Sequence, residues 1–331
     1  MLILSRPDGL YCQKGDFYID PSRGVDRAVI THAHADHARR GSKHYLSSTA
    51  SAPLLKRRLG RKISIQSLEY GVSVNIQGVK VSLHPAGHIL GSSQVRLEYG
   101  GEIWVVSGDY KTCKDTTCTP FEPVACHTFI SECTFGLPIF RWPSPEHEWQ
   151  RILQWWQDNR DTDRTSVLKV YSLGKAQRVL QALKDVGSEI LVHPSIMDLV
   201  PAYETQGIVF PPMQIADAKS VRKSKGKALV LTPTCNSMEA WMDEPESWQM
   251  MEISGWMQVR SPRRKRHLSC GFIVSDHADW DGLNQSIHAT GASQVLLTHG
   301  DGILLMNWLK RKGLETRILK PDNTKKELGK N

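Results

Sequence analysis

Short β-prone runs recur along the chain, and several of them lead to a residue whose side chain can bind a metal ion. The runs and the residues that follow them are 25–31 with His32, 79–83 with His88, 102–106 with Asp109, 128–130 with Glu132, 271–275 with Asp276 and His277, and 294–298 with His299. Strand ends collect polar side chains at one edge of a sheet. The repetition predicts an α/β core with one edge lined by ligand-type residues.

The pattern changes between Glu132 and His277. Ser144 is a candidate N-cap before Pro145, and the apolar stripe that follows predicts a helix packed on a core. That stripe consists of Trp149, Ile152, Leu153 and Trp156. A helical pattern that stops at Gly187 is flanked by strand runs at 166–171, 189–192, 207–210 and 228–232. Alternating strands and helices are typical of a separate small α/β unit, which here interrupts the ligand series.

The limits of this inserted unit are marked by proline at its start and by charge at its end. Pro143 and Pro145 lie at the entry, and the basic run 261–266 lies at the exit. We therefore predict a core domain formed by segments 1–141 and 268–331, with an insertion at 142–267.

The composition is that of a globular protein and excludes global disorder. The chain has 331 residues, 40% hydrophobic and 23% charged, which is enough for one large domain or two ordinary ones. Its formal net charge is +8. A basic surface attracts phosphates and releases their counterions, so the charge favours a polyanionic partner without identifying one.

Cysteine usage and the first residues predict a compartment. The seven cysteines are odd in number and scattered, without a Cys-x-x-Cys pair, which favours a reducing cytoplasm. The first residues are apolar for only a short stretch and lack a preceding basic region, so we expect no signal peptide. No apolar run reaches the length of a membrane span, and we expect no membrane partner.

The densest chemistry lies in the hexapeptide from His32 to His37, which reads His-Ala-His-Ala-Asp-His. Alternate residues of an extended segment point the same way, so His32 and His34 can close on one cation. Asp36 and His37 are adjacent and can be directed towards a second cation. A polar loop that is rich in histidine by chance is the alternative, but four ligand-type residues at this spacing favour a metal site.

Residues from other strand ends complete a candidate set of metal ligands. The set is His32, His34, Asp36, His37, His88, Asp109 and His299. Because an aspartate has two carboxylate oxygens, Asp109 can bridge two ions roughly 3.5 to 4 Å apart, the separation of two-metal hydrolases.

Ordered motifs give the chain a resemblance to a known family. They are THAHADH, PAGHILGSSQ, SGDY, SECTFG, SDHAD and LLTHG. They resemble those of metallo-β-lactamase-fold nucleases with a β-CASP insertion, such as ribonuclease J, the cleavage and polyadenylation nuclease and Artemis-type DNA nucleases. The resemblance covers nearly the whole chain and is closest to bacterial DNA ligase-associated exonucleases, through SGWMQVR and SDHADWDGL. It implies an α/β fold in which a metallo-β-lactamase αββα sandwich holds an inserted α/β β-CASP domain.

The resemblance also assigns roles to the ligand-type residues. It implies that one metal is held by His32, His34, His88 and Asp109, and the other by Asp36, His37, Asp109 and His299. Asp20 would orient the histidine loop from behind, as residues that bond to ligating histidines do. His277, held and kept charged by Glu132, would stabilise the departing sugar oxygen, and Asp36 would accept a proton from the attacking water. The two divalent ions would be zinc or manganese.

The inserted unit is expected to bind substrate. Ser172-Leu173-Gly174-Lys175 lies between a strand and a helix, where backbone N–H groups and the helix dipole suit a phosphate. It resembles a β-CASP segment, so Ser172, Lys175 and Gln177 are candidate backbone contacts; an ordinary N-cap with a solvated lysine is the alternative. Arg260 and Arg264 belong to the basic stretch that leads towards His277 and are further candidates. The acidic segment 239–252 receives no role.

Several functions compete at this point. The first is a two-metal exonuclease of single-stranded DNA, acting from the 5′ end in DNA repair beside a ligase and a helicase, as the resemblance implies. An RNA-processing β-CASP ribonuclease is the alternative, because no residue tests for a 2′-hydroxyl. A lactamase or thioester hydrolase of the same fold is disfavoured by the pair Glu132 and His277 and by the large insertion. Intact ligand positions disfavour a binding module without catalysis.

Overall fold

The computed structural model describes residues 1–187, 189–233, 247–259 and 271–319, which form two compact units. The first unit joins Met1–Ile139 to the chain from His277 onward, and the second is Phe140–Asp276. The predicted insertion begins at 142, close to the start of the second unit. Its predicted end, 267, lies outside the described residues.

The first sheet of the first unit is built by the amino-terminal part of the chain. Its strands, in spatial as well as chain order, are β1 Ile3–Arg6, β2 Gly9–Cys12, β3 Phe17–Ile19, β4 Arg27–Val29, β5 His44–Ser48 and β6 Ile65–Leu68. The first three strands are antiparallel, and β3 to β6 run parallel. Helix α1, Ala52–Leu59, connects β5 to β6 and begins with a proline in its first turn.

The second sheet of this unit combines strands from both ends of the chain. Numbered along the chain, these strands are β7 Ser73–Ile76, β8 Val79–Pro85, β9 Ser93–Tyr99, β10 Glu102–Val106, β11 Thr128–Glu132, β18 Gln294–Thr298 and β19 Glu315–Ile318. The spatial order is β19-β18-β11-β10-β9-β8-β7, with β10, β11, β18 and β19 parallel. The ends of β11 and β18 therefore lie at the same edge.

Two apolar clusters show how the layers of this unit pack. Val106 belongs to a buried cluster that contains residues of both sheets, such as Val29 and Leu83. Its neighbour Val105 faces the opposite side and packs with helical residues, such as Leu283, because successive side chains of a strand alternate between faces. The helices that supply this layer are α7, Trp280–Ala289, and α8, Ile303–Arg311. The layered sheets and helices confirm the predicted α/β class.

The second unit has a parallel sheet with helices in the connections. Its strands are β12 Thr165–Val170, β13 Ile190–Val192, β14 Met213–Ile215, β15 Leu229–Pro233, β16 Trp248–Ile253 and β17 Gly271–Phe272, in the order β14-β13-β15-β12-β16-β17. Its helices are α2 Pro145–Asp161, α3 Lys175–Ala182, α4 Pro194–Met197, α5 Val200–Glu204 and α6 Ala218–Ser224. The predicted cap is present, since the Ser144 side chain accepts the His147 N–H, and Ile152 and Trp156 are buried in the core.

None of the helices in the described ranges combines the length and the apolar character needed to cross a lipid bilayer.

Candidate metal centre

The hexapeptide follows β4, and hydrogen bonds to its carbonyl oxygens hold it in place. Ala33 is fully buried, and its carbonyl oxygen accepts a hydrogen bond from the Arg58 guanidinium of α1. A further hydrogen bond from Ala38 N–H to the His34 carbonyl closes the loop. The small side chains at 33 and 35 thus leave the space in front of the loop to the histidines.

The imidazoles of His32, His34 and His88 converge on one point. His34 Nδ1 lies 3.1 Å from His32 Nε2 and 3.0 Å from His88 Nε2. The Asp109 carboxylate completes the group, with Oδ2 at 3.6 Å from His32 Nε2 and 3.7 Å from His88 Nε2. All four ligand atoms lie within 4.8 Å of one another. Three nitrogens and one oxygen at these separations suit a divalent cation such as zinc.

Asp109 reaches this point because a glycine precedes it. Gly108 has φ +57°, and a Cβ placed on it would lie 2.7 Å from Thr31 Cβ. No L side chain fits this contact without displacing the neighbouring strand end. Gly108 therefore allows β10 to end directly against the histidine loop.

The other oxygen of Asp109 faces a second group of ligands. Oδ1 lies 3.4 Å from His37 Nε2, and Asp36 Oδ2 lies 3.8 Å from the same nitrogen. The His299 ring stacks on that of His37 with a centroid distance of 5.0 Å. His37 Nε2 is buried and has no hydrogen-bond partner within the described part of the chain. A buried ring nitrogen of this kind is expected to have a partner. A second cation, which Asp109, Asp36 and His299 would also help to hold, would supply one.

Asp20 fixes the orientation of His37. One oxygen, Oδ2, lies 2.7 Å from His37 Nδ1 and also accepts the Thr31 hydroxyl, while Oδ1 accepts the Thr31 N–H at 2.8 Å. The bond places the ring proton on Nδ1, which leaves the lone pair on Nε2 for a cation. Asp20 therefore bonds to both Thr31 and His37, and its orienting role stays a prediction.

Burial and neighbouring charges shift the pKa values of three residues in the group. Burial and then the neighbouring His37 hold the pKa of His32 well below its usual value, so His32 is a neutral ligand. For Asp109, burial acts in the opposite direction, but His37 outweighs it and holds the pKa well below the usual value. Burial lowers the pKa of His37, yet Asp109 and Asp20 outweigh burial and raise it well above the usual value. His32 and Asp109 are thus in the neutral and ionised forms that ligate metals, whereas His37 would have to release a proton when a cation binds.

Glu132 and His277 form a hydrogen-bonded pair beside the group. His277 Nδ1 lies 2.8 Å from Oε1 and 3.0 Å from Oε2 of the buried Glu132 carboxylate. Glu132 also accepts the Tyr110 N–H at 2.9 Å and the Thr134 hydroxyl. The His277 ring lies 4.8 Å from the His88 ring, centroid to centroid. A histidine held in this way next to a cation site can donate or accept a proton there.

Several supporting residues escaped the sequence-based reasoning. Thr31 contacts both Asp20 and His32, whose Nδ1 lies 3.0 Å from the Thr31 hydroxyl. Ser92 accepts the His88 N–H at 3.0 Å and thereby closes the loop that presents His88. The available signal was position alone, because each is a hydroxyl residue within four positions of a ligand.

The residues predicted to contact substrate have different surroundings. Lys175 is buried, with its ammonium 3.3 Å from Asp276 Oδ2. Gln177 is fully buried and bonds to the Gly174 N–H and the Ser172 carbonyl, at 2.8 Å and 3.0 Å. Ser172 is half-buried, and its hydroxyl lies 3.1 Å from that of Ser195. The other two candidates, Arg260 and Arg264, lie outside the described residues.

Comparison with known proteins gives matches along most of the chain, although no family model matches it. A protein of Opitutus terrae named "Probable DNA ligase" is 30% identical over 318 residues, which are 95% of this chain and 31% of that protein. Endoribonuclease YSH1 of Yarrowia lipolytica is 29% identical over 136 residues, 40% of this chain and 16% of that protein. This chain therefore spans less than a third of either relative.

Two further matches concern a repair protein and a fold. The DNA cross-link repair protein SNM1 of Arabidopsis thaliana is 26% identical over 183 residues, 52% of this chain and 38% of that protein. A crystal structure of a protein of unknown function from Enterococcus faecalis V583 superposes with a TM-score of 0.57 at 13% identity, covering 89% of this chain and 79% of that one. At that identity the likeness shows the fold alone.

Proposed function

Because the chain belongs to the metallo-β-lactamase-fold nucleases with a β-CASP insertion, we propose that it is a metal-dependent exonuclease that hydrolyses single-stranded DNA from the 5′ end. In this proposal segment 142–267 is the β-CASP insertion, and segments 1–141 and 268–331 form the catalytic domain.

The observation that carries the proposal is the pair of Glu132 and His277 beside a bridging aspartate. One ligand-type atom each of Asp109, Glu132 and His277 lies within 4.8 Å of the others. A hydrolase that needs only an activated water does not require a second proton-transfer pair. Cleavage of a phosphodiester requires one, because the departing sugar oxygen needs a proton or a stabilising charge.

The cation sites are assigned as follows. One set is His32, His34, His88 and Asp109, and the other is Asp36, His37, His299 and Asp109. Divalent cations held there, zinc or manganese, would supply Lewis acidity for water activation and would neutralise charge at the phosphate.

The chain's own residues move the protons. Asp36 is 71% exposed at its side chain, so its carboxylate is open to solvent and can accept a proton from the attacking water. Glu132 holds His277 through Nδ1, which assigns proton donation to the leaving oxygen to Nε2. Asp20 keeps the His37 ring in one orientation, because its carboxylate accepts a hydrogen bond from Nδ1.

Nucleic acid as the substrate is supported by charge and by the relatives. The net charge of +8 favours a polyanion, and the proteins named DNA ligase and DNA cross-link repair protein favour DNA. We therefore propose a role in DNA repair beside a ligase and a helicase. Ser172 and the basic positions Arg260 and Arg264 are proposed backbone contacts. The five described cysteines form no disulfide, which supports our placement in the reducing cytoplasm.

An RNA-processing ribonuclease is the second candidate, because the matched YSH1 proteins are named endoribonucleases. The two candidates share the metal centre and differ in the substrate, so a comparison of DNA with RNA separates them.

The test uses DNA and RNA strands of one sequence, labelled at the 5′ or the 3′ end, with Zn²⁺, Mn²⁺ or Mg²⁺ added. We expect labelled mononucleotide from 5′-labelled DNA at early times, and shortening of the 3′-labelled strand. Equal cleavage of RNA would overturn the choice of DNA, and internal fragments at early times would overturn exonucleolytic action. Absence of cleavage with all three metals would overturn the nuclease itself. His84→Ala is the matched control, since the His84 side chain bonds to Ser82 and His84 lies outside the ligand groups of the described residues.

A further inference from the structure

Two buried cations of the second unit converge on one carboxylate. The Lys175 ammonium lies 3.3 Å from Asp276 Oδ2, and the Arg178 guanidinium lies 3.5 Å from Asp276 Oδ1. Arg178 also donates to the Ser275 carbonyl at 2.7 Å. The exposed fractions are 4% for Lys175, 8% for Arg178 and 4% for Asp276. A lysine available to bind a phosphate would be exposed to solvent, whereas Lys175 is buried.

The helix that carries both cations is itself rigidly placed. Lys175 and Arg178 are three positions apart in α3, so they lie on one face. Gly174, in front of the helix, donates to the Gln177 side chain at 2.8 Å, and Ala176 and Val179 are fully buried in the core. The two side chains therefore start from fixed backbone positions.

Lys175 and Arg178 contact the end of the second unit, directly before a residue with a proposed catalytic role. Asp276 is the last residue of that unit, and His277 is the first residue of the returning chain. On the other side of His277, the Ala278 N–H donates to the Tyr110 carbonyl at 2.7 Å, and Asp279 caps α7 through the Gly282 N–H at 2.8 Å. Within the first unit, the backbone is thus held by hydrogen bonds directly after His277.

We propose that Lys175 and Arg178 are positioning residues that hold Ser275 and Asp276 and thereby set the place of His277, an inference that rests on the proposed function. Burying charged groups costs free energy that their mutual attraction often does not offset, so these buried charges are weak evidence for stability. We therefore assign them a geometric role. A catalytic side chain needs its neighbours to hold it within about 0.5 Å of its productive position. Lys175 acts through Asp276 and not through the substrate.

The decisive comparison is between kcat and KM. In Lys175→Met we expect kcat to fall about 10- to 100-fold, because small misplacements near the chemistry cost that much. KM for DNA, its salt dependence and the metal content should stay as in the wild type. Lys175→Arg, which keeps the charge, should recover part of the loss. Lys184→Met is the control, because Lys184 is exposed just beyond α3, and its kcat should be that of the wild type.

A substrate contact would give the opposite result. If Lys175→Met raises KM and weakens the salt dependence while kcat stays the same, Lys175 binds the phosphate backbone and the proposal is wrong. Asp276→Asn keeps the shape of the side chain and removes its charge, so it tests the same idea if Lys175→Met fails to fold. A folded Asp276→Asn with unchanged kcat would also overturn it.

A spectroscopic measurement separates failure of this inference from failure of the proposed function. The Nδ1 proton of His277, bonded to Glu132, should give a downfield proton resonance that disappears in His277→Ala. We expect this resonance to shift or broaden in Lys175→Met and to be unchanged in Lys184→Met. An unchanged resonance in Lys175→Met overturns the positioning role even if no nuclease activity is found on any substrate.

Discussion

His277 donates its Nδ1 proton to a Glu132 carboxylate that lies 2.8 Å and 3.0 Å away through its two oxygens. The carboxylate cannot turn, because the Tyr110 N–H and the Thr134 hydroxyl each bond to one of these oxygens. One edge of the imidazole is thus fixed, and the ring is held next to His88. The pair has the construction of a general acid with its orienting carboxylate.

The first prediction follows from this pair. Replacing His277 with alanine should lower kcat by roughly 10²- to 10⁴-fold, the usual contribution of a positioned acid or base. Glu132→Gln should lower kcat in the same direction but less, because glutamine can still bond to the ring. Both variants should keep their bound metal, which atomic absorption on the dialysed protein measures.

The metal measurement also decides against an alternative role. If His277→Ala loses a cation, His277 is a ligand and the donor must be sought elsewhere. His84→Ala, on β8 near His88, should match the wild type in both metal content and turnover.

A second prediction concerns the aspartate shared between the two ligand groups. Oδ2 of Asp109 faces His32 and His88, and Oδ1 faces His37. Asp109→Asn should therefore lower the metal content from about two ions per chain to nearly none, since both sites lose a charged ligand. His299→Ala should keep one ion, because His299 contacts only the His37 side.

Retention of one tightly bound ion in Asp109→Asn would contradict the bridging role. Asp158→Asn, at an exposed position of α2, controls for the loss of one negative charge.

The ligand-bearing strand ends could be predicted from the sequence because two regularities coincide there. Runs of β-branched and apolar residues indicate strands, and histidine or aspartate at the ends of those runs indicates candidate ligands. Glu132 and His299 illustrate this, since Glu132 is the last residue of β11 and His299 directly follows β18, the parallel neighbour of β11. The sequence order alone then places them at one edge.

The supporting contacts could not be predicted, because they depend on tertiary packing. Lys175 occupies a position typical of phosphate binding. Only the folded chain shows that it forms an ion pair with Asp276, which is distant in the sequence. Thr31 is similar, because its bonds to Asp20 join two strand ends that no periodicity links. Hydroxyl and lysine side chains serve too many purposes for sequence patterns to assign their partners.

A third prediction tests the orienting role of Asp20. Asp20→Asn removes the charge that accepts the His37 Nδ1 proton, so the ring can rotate or change tautomer. Affinity for the second cation should fall about 10- to 100-fold, as for other partners of ligating histidines. Isothermal titration of the metal-free protein measures it. Asp16→Asn is a matched control, because Asp16 also has positive φ but bonds to Tyr11 away from the centre.

A fourth prediction concerns thiol reactivity. Burial raises the pKa of Cys126 to about 11, and burial with the nearby Glu132 charge raises that of Cys133 to about 12. Both thiols are therefore almost wholly protonated at pH 8, and the reactive thiolate increases only as the pH approaches these values. Among the five described cysteines, iodoacetamide should label the exposed Cys113 first. Peptide mass spectrometry should find Cys126 and Cys133 unlabelled until denaturant is added; labelling of Cys133 as fast as Cys113 in the folded protein would contradict its burial.

The last prediction concerns Gly108, which lets β10 end against the histidine loop. Gly108→Ala meets two costs, a left-handed backbone at φ +57° and a contact of 2.7 Å with Thr31. Gly100→Ala meets only the first, because Gly100 has φ +59° and open space around it. The backbone cost is about 1 kcal/mol for both. Gly108→Ala should therefore unfold at lower denaturant concentration than Gly100→Ala and also bind metal more weakly, because Thr31 must move together with Asp20 and His32. Equal loss of stability in the two variants, with metal binding intact, would show that the strand end can yield without disturbing the centre.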